Sequence, residues 1–130
     1  MSLILVIEDD PRIQRALRRQ FSAEGYDVHI EGEGPAGLAA CKNLRPVTVV
    51  LDLMLPGLSG RTVCKEIKAW CSDIPVIVLS ARDPQNNEER ALRAGATAFF
   101  QKPADNDELL NVIRVNVGPG TPQVAAAWPS

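Results

Sequence analysis

Short apolar runs separated by longer amphipathic stretches set the pattern of this chain. Five strand-like runs, Leu3–Ile7, Asp27–Glu31, Val47–Leu51, Val76–Leu79 and Ala98–Gln101, alternate with five helix-like stretches. The first, third and fourth runs are continuously apolar, as strands covered on both faces should be. The second alternates, Asp27-Val28-His29-Ile30-Glu31, which is the pattern of an edge strand. Strict alternation of strand and helix predicts an α/β fold: a doubly wound, five-stranded parallel sheet with right-handed crossovers and helices on both faces. With the alternating strand at one edge, the strand order is 2-1-3-4-5. The ends of strands 1 and 3 then lie side by side.

The stretch Pro11–Glu24 carries Ile13, Ala16, Leu17 and Phe21 on one face, with Pro11 suited to the first turn and Gly25 to the end. Pro35–Asn43 reads as a short Ala-rich helix. Ser59 can cap a third helix that buries Val63, Ile67 and Trp70. Asp105 with Glu108 resembles a capping box opening the last helix, in which Leu109, Ile113 and Val117 share a stripe. The helix at Asn86–Ala94 offers only Ala91, Leu92 and Ala94 for burial, after the polar run Asp83-Pro84-Gln85-Asn86-Asn87-Glu88-Glu89. Little burial means a low cost of local opening, so this is the element expected to move. Beyond Val117 the chain becomes Gly-Pro-Gly-Thr-Pro and then Gln123 to Ser130, a linker composition. The organisation expected is one folded unit over residues 1–117 and a linker-like or disordered tail over 118–130. That tail is read as a native end or as the start of a linker to a second domain.

Composition narrows the function classes. A chain of 130 residues fits one domain, and 45% hydrophobic with 23% charged residues is ordinary for a globular protein. A net charge of −2 steers the chain toward neither nucleic acid nor an anionic membrane. Arg12, Arg15, Arg18 and Arg19 cluster at helical spacing and read as a solvated face. Cys41, Cys64 and Cys71 form an odd set with no CxxC pair, which indicates free thiols in a reducing compartment. Leu3–Ile7 is too short for the core of a signal peptide and meets acid at once. No run approaches the roughly 18 apolar residues of a membrane span. These features point to the cytoplasm.

The candidate chemistry lies at one edge. In such sheets ligands bind at the carboxyl ends of the strands, at the switch point. Glu8 and Asp9 follow the first apolar run, Asp52 the third, Ser80 the fourth and Lys102 the fifth. Converging carboxylates repel one another, and only Lys102 offsets them. A hard divalent cation resolves the conflict, and Mg²⁺ (or Mn²⁺) suits a shallow rim of one or two carboxylates plus phosphate oxygens. Asp52 is then the candidate nucleophile, since a carboxylate can attack phosphorus and form an aspartyl phosphate. Asp9, Asp52 and the backbone carbonyl of Met54 are placed to hold the metal, with Glu8 acting directly or through water. Ser80 can donate its hydroxyl to a phosphoryl oxygen, and Lys102 supplies positive charge to the same oxygens. Taken singly, each has a plainer explanation: a turn hydroxyl, a surface amine, or acids favoured by a helix dipole.

Together these residues resemble a known family. Ile4-Leu5-Val6-Ile7-Glu8-Asp9-Asp10, Val50-Leu51-Asp52-Leu53-Met54-Leu55-Pro56-Gly57-Leu58-Ser59-Gly60, Pro75-Val76-Ile77-Val78-Leu79-Ser80-Ala81 and Lys102-Pro103 look like the receiver domain of bacterial two-component response regulators. The likeness runs over about residues 2 to 117. It implies a flavodoxin-like sheet and a signalling switch rather than a turnover enzyme. It also implies Mg²⁺-dependent phosphotransfer to Asp52 from a phosphohistidine, on a sensor histidine kinase or phosphotransfer protein. Further implications are a cis Lys102–Pro103 peptide and a switch formed by Ser80 and Phe99, in which the ring turns into space that Ser80 leaves. As partners it implies a downstream output protein or domain and a phosphorylation-dependent dimer, with no nucleic acid or membrane bound by this domain. Two departures stand out. Ala104 follows Pro103 where Phe is usual. Gly95-Ala96-Thr97-Ala98-Phe99 lacks the paired aspartates that many winged-helix regulators use in dimer salt bridges, which weighs against dimerisation through the fourth and fifth helices.

Other classes fit less well. A phosphatase of the haloacid dehalogenase type needs a second acid two residues after its nucleophile, where Met54 stands. A flavin carrier would want a Ser/Thr/Gly-rich phosphate loop in place of Glu8-Asp9-Asp10-Pro11. A histidine-based hydrolase is excluded because the single histidine, His29, falls mid-strand, far from the rim. The rival that remains is a receiver-fold interaction module that works without phosphorylation, and the domain in either case can be a fragment of a longer DNA-binding regulator. Met54 and Arg82 flank the site and are read as tuning the phosphate lifetime.

Overall fold

A computed structural model describes residues 2–81, 84–102 and 106–118, without the side chains of 84–87 and 106. The elements alternate along the chain as β1 (Leu3–Ile7), α1 (Pro11–Ala23), β2 (Asp27–Glu31), α2 (Gly34–Leu44), β3 (Thr48–Asp52), α3 (Gly60–Trp70), β4 (Val76–Ser80), α4 (Pro84–Arg93), β5 (Ala98–Gln101) and α5 (Asn106–Val117). The strands form one parallel sheet in the order β2-β1-β3-β4-β5. Order, direction and the edge position of the alternating strand all follow the hydrophobic pattern.

Period-2 alternation in the sheet sends side chains to two cores. Leu5, Ile7, Val49, Leu51, Val76 and Val78 face α2, α3 and α4, where they pack with Cys41, Val63, Cys64, Ile67 and Ala91. Ile4, Val6, Val50, Ile77 and Leu79 face α1 and α5, meeting Leu17, Phe21, Leu109 and Ile113. Helix starts match their signals. Asp10 caps α1 by accepting from the Arg12 N–H, with Pro11 in the first turn, and Ser59 caps α3 by accepting from the Thr62 N–H. Gly25 ends the first unit with φ 90°.

Four expectations need correction. Asp52 and Ser80 are the last residues of β3 and β4 rather than residues beyond them, because the ladder continues through Asp52↔Leu79 and Ser80↔Gln101. Ala16 is exposed, since Leu17 and Phe21 fill the contact with the sheet and Ile13 covers only its rim. Trp70 stays 40% exposed at the end of α3, where Cys64 instead joins Val63 and Ile67 in the buried stripe. The fourth helix begins at Pro84, two residues ahead of the expected Asn86. The arginines of α1 are exposed, and His29 Nε2 lies 2.6 Å from Glu31 Oε2 along β2. All three cysteines are free thiols. Arg82, the Lys102–Pro103 peptide, Ala104, the capping role of Asp105 and the tail after Gly118 lie outside the described residues. Among the described residues, no helix is long and apolar enough to cross a membrane.

Candidate phosphoacceptor site

Three central strands deliver the chemistry to one edge. β1 ends on Ile7, so Glu8 is the first residue past the ladder. Its backbone is still held, with its N–H donating to Glu31 O at 3.0 Å and its carbonyl accepting from the Gln14 side chain. β3 and β4 carry Asp52 and Ser80 as their final rungs. Lys102 follows β5, and its N–H donates to Ser80 O at 2.7 Å, which fixes where the long side chain starts.

Glu8, Asp9 and Asp52 each present an oxygen, and the three oxygens lie within 4.8 Å of one another. Glu8 is 1% exposed and Asp52 4%, whereas Asp9 is open to solvent. The Lys102 ammonium stands 2.6 Å from Glu8 Oε1 and 3.4 Å from Asp52 Oδ2. It is therefore closer to Glu8 than to Asp52. Asp52 Oδ1 accepts from the Met54 N–H at 3.1 Å, and Glu8 Oε2 accepts from the Asp10 N–H at 3.1 Å. Glu8 Oε1, buried beside the ammonium, has charge opposite it but no hydrogen bond of acceptable angle.

Burial pushes the Glu8 carboxyl up to about 7, and Asp52 adds to the rise, against the pull of Lys102 and of the Asp10 amide. For Lys102, burial works against the ammonium, but Glu8 and Asp52 outweigh it and raise its pKa. A buried acid driven toward its neutral form, with a second carboxylate beside it and one ammonium shared between them, is a site short of positive charge. The donor set is all oxygen with no thiol or imidazole, which fits a hard divalent cation rather than a soft metal.

Ser80 is fully buried and Phe99 is partly buried. Val78 pairs with Phe99 and Ser80 with Gln101, so Ser80 and Phe99 are diagonal neighbours on the same face of the sheet, the α4 side. Glu8, Asp9, Asp52, Ser80 and Lys102 lie at this edge, with Phe99 on β5 beside Ser80. Residues that the strand-end pattern missed are Asp10, whose amide serves Glu8, and Gln14, whose side chain anchors the Glu8 backbone. Gln14 stands one helical turn past the cap Asp10, and no spacing rule marked it.

Fold and site together define a doubly wound α/β module with an acidic edge at the switch point of the sheet. The profile of the response regulator receiver domain matches residues 4–114. The chain belongs to that family. It is 40% identical over 111 residues to the response regulator MprA of Mycobacterium sp. (strain KMS), an alignment covering 85% of this chain and 48% of the relative. The chain thus spans about half the length of the curated relatives it matches. The CheY-like receiver domain protein of Methanospirillum hungatei JF-1 superposes with TM-score 0.85 at 26% identity, covering 90% of this chain and 94% of that one. The receiver domain of the sensor histidine kinase PA1611 from Pseudomonas aeruginosa PAO1 superposes with TM-score 0.83 at 28% identity, covering 90% and 98%, and that structure has a magnesium ion coordinated in its active-site cleft.

Proposed function

We propose that this chain is a phosphorylation switch in which Asp52 accepts a phosphoryl group from a phosphohistidine, on a sensor histidine kinase or a phosphotransfer protein. The observation that carries this reading is the buried Asp52 carboxylate. It is held by the Met54 amide on one oxygen and faces the Lys102 ammonium on the other. One Asp52 oxygen attacks phosphorus, the P–N bond to the donor imidazole breaks, and the imidazole leaves with the bonding pair and takes up a proton. Lys102 then meets the phosphoryl oxygens, and Ser80 donates its hydroxyl to one of them. Glu8, Asp9, Asp52 and the Met54 carbonyl would hold Mg²⁺ (or Mn²⁺), which when bound would supply positive charge between the two anionic groups.

The phosphoryl group adds a charge of roughly −1.5 to −2. Recruitment of Ser80 toward it vacates space on the face that Phe99 shares, and the ring follows. α4 packs on that face through Ala91, with Ala94 in the turn after it, and is the element this movement biases toward an output protein or domain, or toward a dimer. Residues 1–117 form the receiver and 118–130 a linker-like tail. The module works in the cytoplasm without contact to nucleic acid or membrane.

Intact-mass measurement after treatment with acetyl phosphate and Mg²⁺ tests the proposal. One phosphate adduct is expected, lost in Asp52→Asn and in the presence of a chelator. An adduct that survives the substitution overturns the assignment of Asp52. No adduct at all favours the phosphorylation-independent interaction module.

A further inference from the structure

The segment of residues 53–59, between β3 and α3, carries Met54 and is gripped at both ends against glycine. Gly34 opens α2, and a Cβ built there would lie 2.5 Å from the Leu58 carbonyl oxygen and 2.8 Å from Leu58 Cβ. Gly60 opens α3, and a Cβ there would run into the Asp52 carbonyl oxygen and lie 2.6 Å from Leu53 Cα. Neither glycine has a positive φ, so close approach rather than backbone conformation demands it. The obstructing atoms are mainly backbone and cannot step aside by changing rotamer.

Hydrogen bonds close the same grip. Gly60 N–H donates to Leu53 O at 3.0 Å, Gly34 N–H to Pro56 O at 3.4 Å and Leu53 N–H to Leu79 O at 3.1 Å. Between these fixed points stands Met54, whose N–H orients the Asp52 carboxylate.

We propose that Gly34 and Gly60 are positioning residues for the phosphoacceptor: their missing side chains let α2 and α3 close on this loop and hold the Met54 peptide against Asp52. The proposal rests on the reading of Asp52 above. Its chemical consequence is that a methyl group at either position spoils cation binding and phosphoryl acceptance beyond what lost stability explains. Gly60 matters more, because its neighbour is the Asp52 carbonyl itself.

Gly60→Ala, Gly34→Ala and the core variant Ile113→Val, on the other face of the sheet, are compared with the unsubstituted full chain. The readouts are thermal melting, Mg²⁺ titration followed at the Met54 amide by NMR, and the rate of adduct formation with acetyl phosphate. Ile113→Val is expected to melt earlier with unchanged Mg²⁺ affinity. The glycine variants are expected to bind Mg²⁺ roughly 10- to 100-fold more weakly, the usual effect of losing the groups that orient metal ligands. Their adduct formation slows and is partly restored by high Mg²⁺. Glycine variants that lose stability yet keep the Mg²⁺ affinity and adduct rate of the unsubstituted chain overturn the proposal. So does failure of both to fold, which would make these glycines supports of the whole fold. An unsubstituted chain that binds no Mg²⁺ and takes no phosphate sinks the phosphoacceptor reading instead.

Discussion

β4 and β5 are neighbours in the sheet, yet every residue of β4 is buried and no residue of β5 is. The helices that flank them differ in the same sense. α3 buries Val63, Cys64 and Ile67, whereas α4 contributes Ala91, the turn after it Ala94, and Leu92 is left 47% exposed. The contrast is one of packing: the strands that carry Asp52 and Ser80 are buried throughout, and their neighbour β5 is not. Asp52 and Ser80 sit at the ends of the buried strands, where packing fixes their backbones. The α4–β5 flank has little apolar contact to lose, so its displacement costs little.

Equivalent truncations on the two sides should separate them most. Ile77→Ala, at the fully buried centre of β4, is expected to cost about 2–5 kcal/mol, the range for removing a large aliphatic side chain from a core. Urea unfolding measures this, and a cost comparable to that of an α4 surface variant would erase the contrast.

Rigidity at the rim is bought with a buried acid, and that has a signature in pH. Glu8 has its pKa raised from 4.5 to about 7, so its neutral form favours the fold. Without metal, its contribution is complete below about pH 4.5 and is lost as pH rises through about 7. Melting in chelator should fall more steeply between about pH 5 and about pH 8 for the unsubstituted chain than for Glu8→Gln. Saturating Mg²⁺, which favours the ionised form, should counter the loss in the unsubstituted chain. Parallel curves for the two proteins in chelator would show that Glu8 is not the strained acid.

Leu92→Ala on α4 should cost about 0.5 kcal/mol or less, as for surface substitutions generally. Amides of α4 should also exchange with solvent faster than those of β4 in the same sample. Protection of α4 equal to that of β4 would remove it as the mobile element. The smallest effect concerns the thiols. Burial pushes Cys41 and Cys64 up to about 11, while Cys71 is only partly buried beside a cleft lined by Arg45, Trp70 and Ile74. Iodoacetamide at neutral pH should label Cys71 first, with the other two reacting only on unfolding. Early labelling of Cys64 would mean that the packing of α3 under α4 is looser than the structure shows.

Much of this arrangement was legible along the chain. Continuous apolar runs identified strands covered on both sides, the single alternating run identified the edge, and together they dictated the strand order. The order in turn brought Glu8, Asp9, Asp52, Ser80 and Lys102 to one edge. Misjudged details share a cause. Ala16 and Trp70 sit at helical spacing for burial, but spacing does not say where a helix overhangs its sheet. The apolar runs of the third and fourth strands end at Leu51 and Leu79, but Asp52 and Ser80 keep ladder partners because backbone pairing is indifferent to side-chain polarity. The Lys102 ammonium lies nearer Glu8 than Asp52, a distance that strand order alone does not set.

The sequence by itself determined the sheet, its order and the set of acids and bases at its carboxyl edge, because hydrophobic periodicity and strand count are local properties that add up along a chain. Only the tertiary structure decided how deep each charge lies, which oxygen lacks a hydrogen bond, and why Gly34 and Gly60 must stay bare. Those depend on approach distances of a few ångströms between segments far apart in sequence, and no local pattern encodes them.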